Sequence, residues 1–140
     1  MKKLLSAIVS LSLLSSIAVA STINAYDQYG QKTGSYRVNN SVTTSYDRYG
    51  AKTGSYRVNS SGTTTSYDKY GTKTGTYKKT TTGYTSYDRY GTKTGSYRVN
   101  SNGTTTTYDK YGTKTGSYRT TPSGQVIHYD KYGRKVGSYK

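Results

Sequence analysis

The polar and apolar positions of the chain follow one short phrase that recurs six times. A Tyr-Asp pair opens each phrase, at residues 26, 46, 67, 87, 108 and 129, and the fifth phrase reads YDKYGTKTGSYR. Two clusters of turn-forming residues divide every repeat, and the Thr, Ser, Tyr and Val runs between them have the composition and length of short strands. We therefore predict one β-hairpin per repeat.

The repeat region spans residues 26–140 and holds six tandem repeats of 20 or 21 residues, the last one truncated. One hairpin per repeat gives about eleven or twelve short strands. We expect an all-β fold in which these hairpins form an antiparallel meander or a solenoid-like sheet, with no helical domain.

Each phrase contains a predicted turn between its Asp and the glycine three residues later. An Asp at the first position of a type I turn accepts a hydrogen bond from the backbone two residues on, and the glycine takes the left-handed conformation that closes a bulged loop. In the fifth repeat such a loop has three residues and pairs Asp109 with Thr113. The second cluster, residues 100–103, has the same turn chemistry.

The register beyond this turn decides which residues share a face of the sheet. Continued without a break, it pairs Tyr108 with Lys114 and places Tyr108, Gly116 and Tyr118 together, so we expect a tyrosine to cover Gly116. The same loop at both ends of a hairpin gives an odd offset between repeats, which reverses the faces. We expect the spacer after SYR to differ, because it absorbs the change between 20 and 21 residues. The sequence leaves that register open.

The first twenty residues differ in composition from the repeats. Lys2 and Lys3 precede an apolar stretch that ends in Ala-Val-Ala, the pattern of a signal-peptide cleavage site. We expect residues 1–20 to be a secretory signal peptide, cleaved after Ala20 or alternatively after Ala25, and residues 21–25 to be a short linker. The stretch contains five serines and is marginal for a membrane span. The expected protein is exported and not transmembrane, and is periplasmic, bound to the cell surface or secreted.

The repeats are strongly basic and contain little aliphatic material. Loss of Lys2 and Lys3 with the signal peptide lowers the formal net charge from +15 to +13, and the other basic residues are distributed two to four per repeat. Such a charge attracts polyanions, so anionic polysaccharide, lipopolysaccharide or another polyanion is the expected partner, with solubility alone as the alternative. Only eight Val, Ile or Leu residues follow residue 20, without Phe, Trp or Cys. Disorder of the free chain is therefore a second alternative.

No part of the sequence indicates catalysis. The chain has no Cys or Glu, and its single histidine, His128, takes a place held by Ser or Thr in other repeats, where we expect a strand-surface residue. The six Asp residues are accounted for as turn residues, with a cation-binding carboxylate ladder as the alternative. We expect a protein that is not an enzyme, has no small-molecule substrate, and needs no metal or cofactor.

The spacing of the phrases resembles the YD repeats of RHS and teneurin-type proteins. The match covers roughly residues 26–140 and is best at HYDKYGRKVGSY, where Tyr129, Asp130, Gly133 and Arg134 fall on the Tyr, Asp, Gly and Arg of the family. The resemblance implies β-hairpin repeats coiled into a shell or spiral. We expect six such repeats to be too few to enclose anything.

Two further families share part of the pattern. Choline- and glucan-binding repeats are similar in placing tyrosines and spaced glycines on consecutive hairpins, and that resemblance implies sugar binding by aromatic side chains, although this chain has no Trp. Curli-type amyloid subunits are similar as exported strand-turn-strand repeats of comparable length. That resemblance implies self-association through stacked polar ladders.

The candidate binding residues are mainly at the tips of the Asp turns, where each tyrosine is flanked mostly by Lys or Arg. An exposed aromatic ring beside a cation can stack on a sugar ring while the charge holds an acidic group. Packing of these tyrosines on the neighbouring hairpin is the alternative. The predicted binding residues are Tyr49, Tyr70, Tyr90, Tyr111, Tyr132, Arg48, Lys69, Arg89, Lys110, Lys131, Arg57, Arg98 and Arg119.

The sequence thus predicts an exported, non-enzymatic binding or structural module at the cell envelope or outside it. Its basic, tyrosine-rich surface is expected to bind an anionic glycan or other polyanion. The alternative of a different class is a self-assembling, amyloid-like subunit of an extracellular matrix or fibre.

Overall fold

The structure, a computed structural model, describes residues 20–140. The predicted signal peptide lies outside the described residues except for Ala20, and residues 21–25, the expected linker, belong to the first strand. No helix of the described chain is long and apolar enough to cross a membrane. The strands are β1 (Ser21–Asp27), β2 (Lys32–Asn39), β3 (Val42–Asp47), β4 (Lys52–Val58), β5 (Thr64–Asp68), β6 (Lys73–Lys79), β7 (Gly83–Asp88), β8 (Lys93–Val99), β9 (Thr104–Asp109), β10 (Lys114–Thr120), β11 (Val126–Asp130) and β12 (Lys135–Tyr139).

The strands form one antiparallel meander that closes into a barrel. Each strand pairs with its neighbours in sequence, and β12 pairs with β1. The all-β meander of hairpins is therefore confirmed, but the sheet is neither open nor solenoid-like. The expectation that six repeats enclose nothing is wrong, because they enclose their own core. Closure also pairs the backbone N–H and C=O groups that two edge strands would otherwise expose.

The loop predicted for the Asp turns is confirmed. In the fifth repeat the N–H of Asp109 donates to the carbonyl of Thr113 at 2.9 Å, and the N–H of Gly112 donates to the carbonyl of Asp109 at 3.2 Å. Gly112 has a φ of 88°. Oδ1 of Asp109 accepts hydrogen bonds from the N–H groups of Tyr111 and Thr113 at 2.8 and 2.9 Å. The carboxylate thus holds the whole loop, and the other five Asp residues do the same.

A β-bulge next to each Asp turn changes which residues share a face. Tyr108 pairs with Lys114 as predicted, but the next pair is Thr107 with Gly116, because Thr115 is an extra residue on that strand. Gly116 therefore faces the same way as Thr107, and Tyr108 faces the opposite way. The prediction that Tyr108 covers Gly116 is wrong because it assumed an unbroken ladder. The same shift occurs in all six hairpins.

The glycine of TGSY is covered by backbone instead of a tyrosine ring. A Cβ on Gly116 would lie 2.5 Å from the carbonyl oxygen of Tyr129 on the next strand. The equivalent glycines would approach a neighbouring carbonyl oxygen to 2.5 or 2.6 Å: Gly34, Gly54, Gly75, Gly95 and Gly137. A glycine at this place is required by the close approach of two backbones.

Two kinds of loop connect the repeats at the other end of the barrel. The longer spacers form three-residue loops with the same backbone hydrogen bonds as an Asp turn, in segments 59–63, 100–104 and 121–125. The shorter spacers are two-residue loops, in segments 39–42 and 80–83. The loops therefore absorb the one-residue difference between repeats. Only the short spacers have the different loop type that was predicted. The long spacers can repeat the three-residue loop because the bulges keep equivalent residues of successive repeats on the same face of the sheet.

Every repeat has the same offset from the next. Tyr97 pairs with Thr107 on the next strand, and Thr107 pairs with Gly116 on the strand after that. Gly116 lies two residues before Tyr118, the equivalent of Tyr97. The same step separates all six repeats, including the two that meet where β12 pairs with β1. Six steps of two residues give twelve strands a shear of twelve, so equivalent residues form level layers around the barrel.

One of these layers contributes three of the six buried hydrophobic residues of the described chain. It consists of the tyrosines of the GSY and GTY segments: Tyr36, Tyr56, Tyr77, Tyr97, Tyr118 and Tyr139. The ring centroids of Tyr36 and Tyr139 are 6.5 Å apart, and those of Tyr77 and Tyr97 are 6.2 Å apart. Ala25 and Val126 are buried in one cluster with Tyr36, Tyr118 and Tyr139. Aromatic rings thus replace the aliphatic core that the composition lacks.

His128 lies in the barrel interior, so the expectation of a strand-surface residue is wrong. Its side chain is 7% exposed and stacks on Tyr118, with ring centroids 4.4 Å apart and planes inclined by 4°. In other repeats small hydroxyl residues hold the same interior place: Ser45, Ser66, Ser86 and Thr107. The bulge is the reason, because it turns the residue before each Tyr-Asp pair inward.

Candidate functional site

The six Asp turns lie together at one end of the barrel, because each joins the first strand of a hairpin to the second and successive strands are antiparallel. We call this end the Asp rim and the opposite end the spacer rim. Equivalent positions in successive loops are two strands apart, roughly 10 to 12 Å around the wall. The Asp rim consists of loops 28–31, 48–51, 69–72, 89–92, 110–113 and 131–134.

Each loop of the Asp rim presents one tyrosine to solvent. These side chains are between 72% and 81% exposed: Tyr29, Tyr49, Tyr70, Tyr90, Tyr111 and Tyr132. The alternative that they pack on neighbouring hairpins is wrong. The rim is therefore a circle of outward-facing phenol rings.

A cation lies over the ring in five of the six loops. Cζ of Arg48 is 4.7 Å from the ring centroid of Tyr49, and Nη2 of Arg48 donates to the Tyr49 hydroxyl at 2.5 Å. The first repeat has Gln28 at the cation position. We call these five contacts the tip pairs: Arg48–Tyr49, Lys69–Tyr70, Arg89–Tyr90, Lys110–Tyr111 and Lys131–Tyr132.

The tip pairs combine a fixed backbone with loosely held side chains. Beneath Tyr111, for example, the two hydrogen bonds to Asp109 fix the loop conformation. The contact above it is weaker: Nζ of Lys110 is 4.9 Å from the ring centroid, and exposed cation–π pairs contribute only about 0.5–1 kcal/mol. A ligand can therefore displace the cation from the ring without disturbing the loop.

The last loop departs from the others at Arg134. Its Nε donates to Oδ2 of Asp130 at 2.7 Å, and its Cζ lies 5.3 Å from the ring centroid of Tyr132. Hydrogen bonds from the Arg134 backbone and side chain lower the pKa of Asp130. Tyr132 thus has two cations near its ring, which the sequence analysis did not anticipate.

The remaining predicted binding residues do not join the tip pairs. Arg57, Arg98 and Arg119 are exposed on the outer wall, close to the ends of β4, β8 and β10 that lead into the spacer rim. The predicted set therefore divides into ten residues on the Asp rim and three on the far part of the wall.

A second basic and aromatic surface on the outer wall was missed. The tyrosine of each Tyr-Asp pair faces outward and pairs across the strands with the lysine of KTG or KVG, as Tyr108 does with Lys114. Cations lie over three of these rings at 5.2–5.6 Å: Arg37 over Tyr46, Lys78 over Tyr87 and Lys140 over Tyr26. The bulge in each hairpin creates this surface, and a register without bulges places these tyrosines on the wrong face.

The interior tyrosines form a separate population. Burial raises the pKa of Tyr56 and Tyr139 to about 12, and it also raises the pKa of Tyr36 and Tyr77. For Tyr97, burial raises the pKa more than a hydrogen bond with Ser86 lowers it. These phenols stay neutral at physiological pH, which suits their place in the core.

The carboxylates are dispersed around the Asp rim. Within residues 20–140 no three Asp or His side chains come together in a group that could hold a metal ion. Oδ1 of each Asp is already occupied by two backbone N–H groups, as at Asp47. The structure gives no support to the cation-binding ladder considered as an alternative.

The arrangement on the Asp rim suits a large ligand that touches several loops from outside.

The hairpin meander agrees with a hairpin-repeat interpretation, but no feature of the fold is specific to YD repeats, so that resemblance stays a prediction. No model of a known protein family matches the chain, and no curated protein matches it significantly.

Proposed function

We propose that the Asp rim binds an anionic polymer, with acidic polysaccharide as the preferred class. The observation that carries this proposal is the presence of five tip pairs on one end of the barrel. The protein then acts as a non-enzymatic binding module at the cell envelope or outside it. The five cations and six exposed tyrosines of the tips are the contact surface.

Each tip pair offers two kinds of contact to an acidic sugar. The exposed face of a ring such as Tyr70 can pack against the C–H groups of a sugar, while Lys69 meets a carboxylate or sulfate beside it. The formal net charge, +15 for the whole chain and +13 without Lys2 and Lys3, draws the polymer towards the protein. Neutral glycans lack the second contact and are expected to bind more weakly.

Repetition of the tip pairs favours a polymer over a small ligand. A single exposed pair contributes little, but a chain with regularly spaced acidic groups can contact several loops at once. The second and later contacts are then intramolecular and raise the overall affinity without any new type of interaction. The separation of roughly 10 to 12 Å between neighbouring loops is short enough for one polymer segment to reach two of them.

The experiment is retention of the protein, expressed from Met1 and purified after any processing, on immobilised heparin and on neutral dextran. Heparin serves as the acidic glycan. We expect retention on heparin that falls steeply as NaCl is raised, because the contacts are screened by salt, and no retention on dextran. A protein that ignores heparin at low salt overturns the proposal.

Two triple variants separate the rim from general charge. Lys69→Gln, Lys110→Gln and Lys131→Gln remove three rim cations, whereas Arg57→Gln, Arg98→Gln and Arg119→Gln remove the same charge from the wall near the spacer rim. We expect the rim variant to lose affinity by about 10-fold, since three ion pairs with the polymer, each of about 0.2–1 kcal/mol, are lost together. The wall variant should lose much less. Equal losses contradict the assignment to the Asp rim.

A further inference from the structure

The strand pair that closes the barrel has the register of the pairs between consecutive repeats. We call this β1–β12 pair the seam. Its residue pairs are Ala25–Tyr139, Tyr26–Ser138 and Asp27–Gly137. The equivalent pairs of β10 with β11 are His128–Tyr118, Tyr129–Ser117 and Asp130–Gly116. The two sets correspond residue for residue along the repeat.

The close contacts of the seam are also those of an internal pair. A Cβ on Gly137 would lie 2.6 Å from the carbonyl oxygen of Tyr26, compared with 2.5 Å between Gly116 and Tyr129. The seam extends one pair further, because Asn24 and Lys140 exchange backbone hydrogen bonds of 2.6 and 2.9 Å.

A side-chain contact repeats in the same way. Nζ of Lys140 lies 5.6 Å from the ring centroid of Tyr26, and Cζ of Arg37 lies 5.5 Å from that of Tyr46. The backbone and side-chain contacts of β1 with β12 are therefore those that the first strand of a following repeat makes with the last strand of the repeat before it.

The seam differs from an internal pair in its connection. Among the twelve strands of residues 20–140, it is the one pair whose members are not consecutive in sequence. Opening the seam breaks no hairpin and no loop. Opening exposes β1 and β12 as two edge strands whose backbone hydrogen-bonding groups are complementary. Exposed edge strands pair readily with another chain.

We propose that the seam is a strand-exchange site for a second copy of this chain. β12 of one copy pairs with β1 of the next in the register that closes the single barrel, so every hydrogen bond of the seam is recovered between copies. Exchange of an identical element between copies is a low-cost route to assembly. Within one chain the seam strands are held at a high effective concentration, so exchange is favoured at high protein concentration.

Two single-cysteine variants test the register, and the absence of natural cysteine makes them unambiguous. The full chain carrying Tyr26→Cys is mixed with the full chain carrying Ser138→Cys, unfolded in urea, refolded at high concentration and oxidised. We expect disulfide-linked heterodimers, counted by mass spectrometry, in excess over both homodimers. The matched control mixes Tyr129→Cys with Ser117→Cys, the equivalent pair between two strands joined by the 121–125 spacer loop, which should give only background linkage. A seam mixture that yields no more heterodimer than the control overturns the proposal.

The double variant Tyr26→Cys, Ser138→Cys tests the seam from the other side. Oxidised at low concentration, it should close its own seam and stay monomeric by light scattering at concentrations where its reduced form associates. A locked barrel that associates as readily as the reduced one contradicts strand exchange.

The unaltered chain gives a measurement that depends on no substitution. Refolded at increasing concentration, it should show masses in whole multiples of the monomer with an unchanged far-ultraviolet circular dichroism spectrum, because the same strand pairs form. A chain that stays monomeric throughout, or associates only with a changed spectrum, contradicts the proposal.

Discussion

Gly95 faces the carbonyl oxygen of Tyr108 so closely that a Cβ on Gly95 would lie 2.5 Å from it. The contact joins β8 to β9, where Gly95 pairs with Asp109. It therefore connects the strand of one repeat to the Asp turn of the next, and it recurs at every repeat boundary. The position of the Asp rim depends on this close packing between repeats.

Substitution of Gly95 should be more damaging than substitution of a turn glycine. Gly95→Ala forces the carbonyl of Tyr108 to move and is expected to cost about 2–3 kcal/mol in the free energy of unfolding. Gly91 has a φ of 89° and open space around it, so Gly91→Asn should cost less, because Asn tolerates the left-handed conformation. Urea unfolding followed by circular dichroism measures both variants. Equal losses contradict the steric explanation.

The acceptor role of the turn Asp predicts a difference between two substitutions. Asp109→Ala leaves the N–H groups of Tyr111 and Thr113 without their acceptor and should lower the free energy of unfolding by about 1–2 kcal/mol. Asp109→Asn keeps an acceptor oxygen and should cost much less. Asn59 already does this in a spacer loop, where its Oδ1 accepts from the N–H groups of Ser61 and Thr63. Urea midpoints of the two variants give the comparison, and a large loss in the Asn variant would show that the charge matters.

High pH should destabilise the barrel through its buried phenols. Burial raises the pKa of Tyr56 and Tyr139 to about 12, whereas tyrosine in an unfolded chain ionises near a pKa of about 10. The unfolded chain therefore loses these protons at lower pH. Stabilisation by the neutral phenols is complete below pH 10 and is lost as the pH rises from 10 through 12.

Urea unfolding at several pH values above 9 measures this effect. Between the two pKa values each such tyrosine is expected to remove up to about 1.4 kcal/mol per pH unit. Tyr56→Phe keeps the ring in the core and removes one ionising group, so its stability should fall less steeply with pH. A variant with the slope of the unaltered protein contradicts the assignment to Tyr56.

The rim tyrosines should act through their rings. Replacement of Tyr49, Tyr70 and Tyr111 by Phe should leave heparin affinity within about threefold, because the stacking face is kept, whereas replacement by Ala should lower it by about 10-fold or more. All three side chains are highly exposed, so the free energy of unfolding should change little in either variant. Affinity is measured by isothermal titration at low salt. Equal effects of Phe and Ala would assign the contact to the hydroxyl group.

Local turn chemistry accounts for the part of the fold that the sequence predicts correctly. Asp109 and Gly112 act within a few residues of each other, and their loop depends only on side-chain acceptors and on the left-handed freedom of glycine. The contact between an exposed ring and a neighbouring cation is local in the same way, since Lys110 and Tyr111 are adjacent in the chain, whereas their role in binding stays a prediction. Hairpins, strand number and the contents of the Asp rim followed from these local features.

Which side chains face the barrel interior, and whether the sheet closes into a barrel, depend on features that residues close in sequence do not reveal. No distinctive residue marks the bulge at Thr115 in the sequence, yet the bulge turns Tyr108 outward and Thr107 inward. The inward position of His128 follows from the same shift. Closure depends on the sum of six offsets, and an error of one residue in each hairpin changes that sum.

The constant two-residue step between repeats links the circumference of the barrel to the number of its Asp turns. Each repeat contributes two strands and two residues of shear, so the ratio of shear to strand number is independent of how many repeats there are. Strand tilt depends on that ratio, and a duplicated or deleted repeat would therefore leave the tilt, the bulge and the level layers unchanged. A longer array would gain circumference and one more Asp turn with its exposed tyrosine together. Tandem duplication alone could thus enlarge the proposed binding surface, with no new fold required.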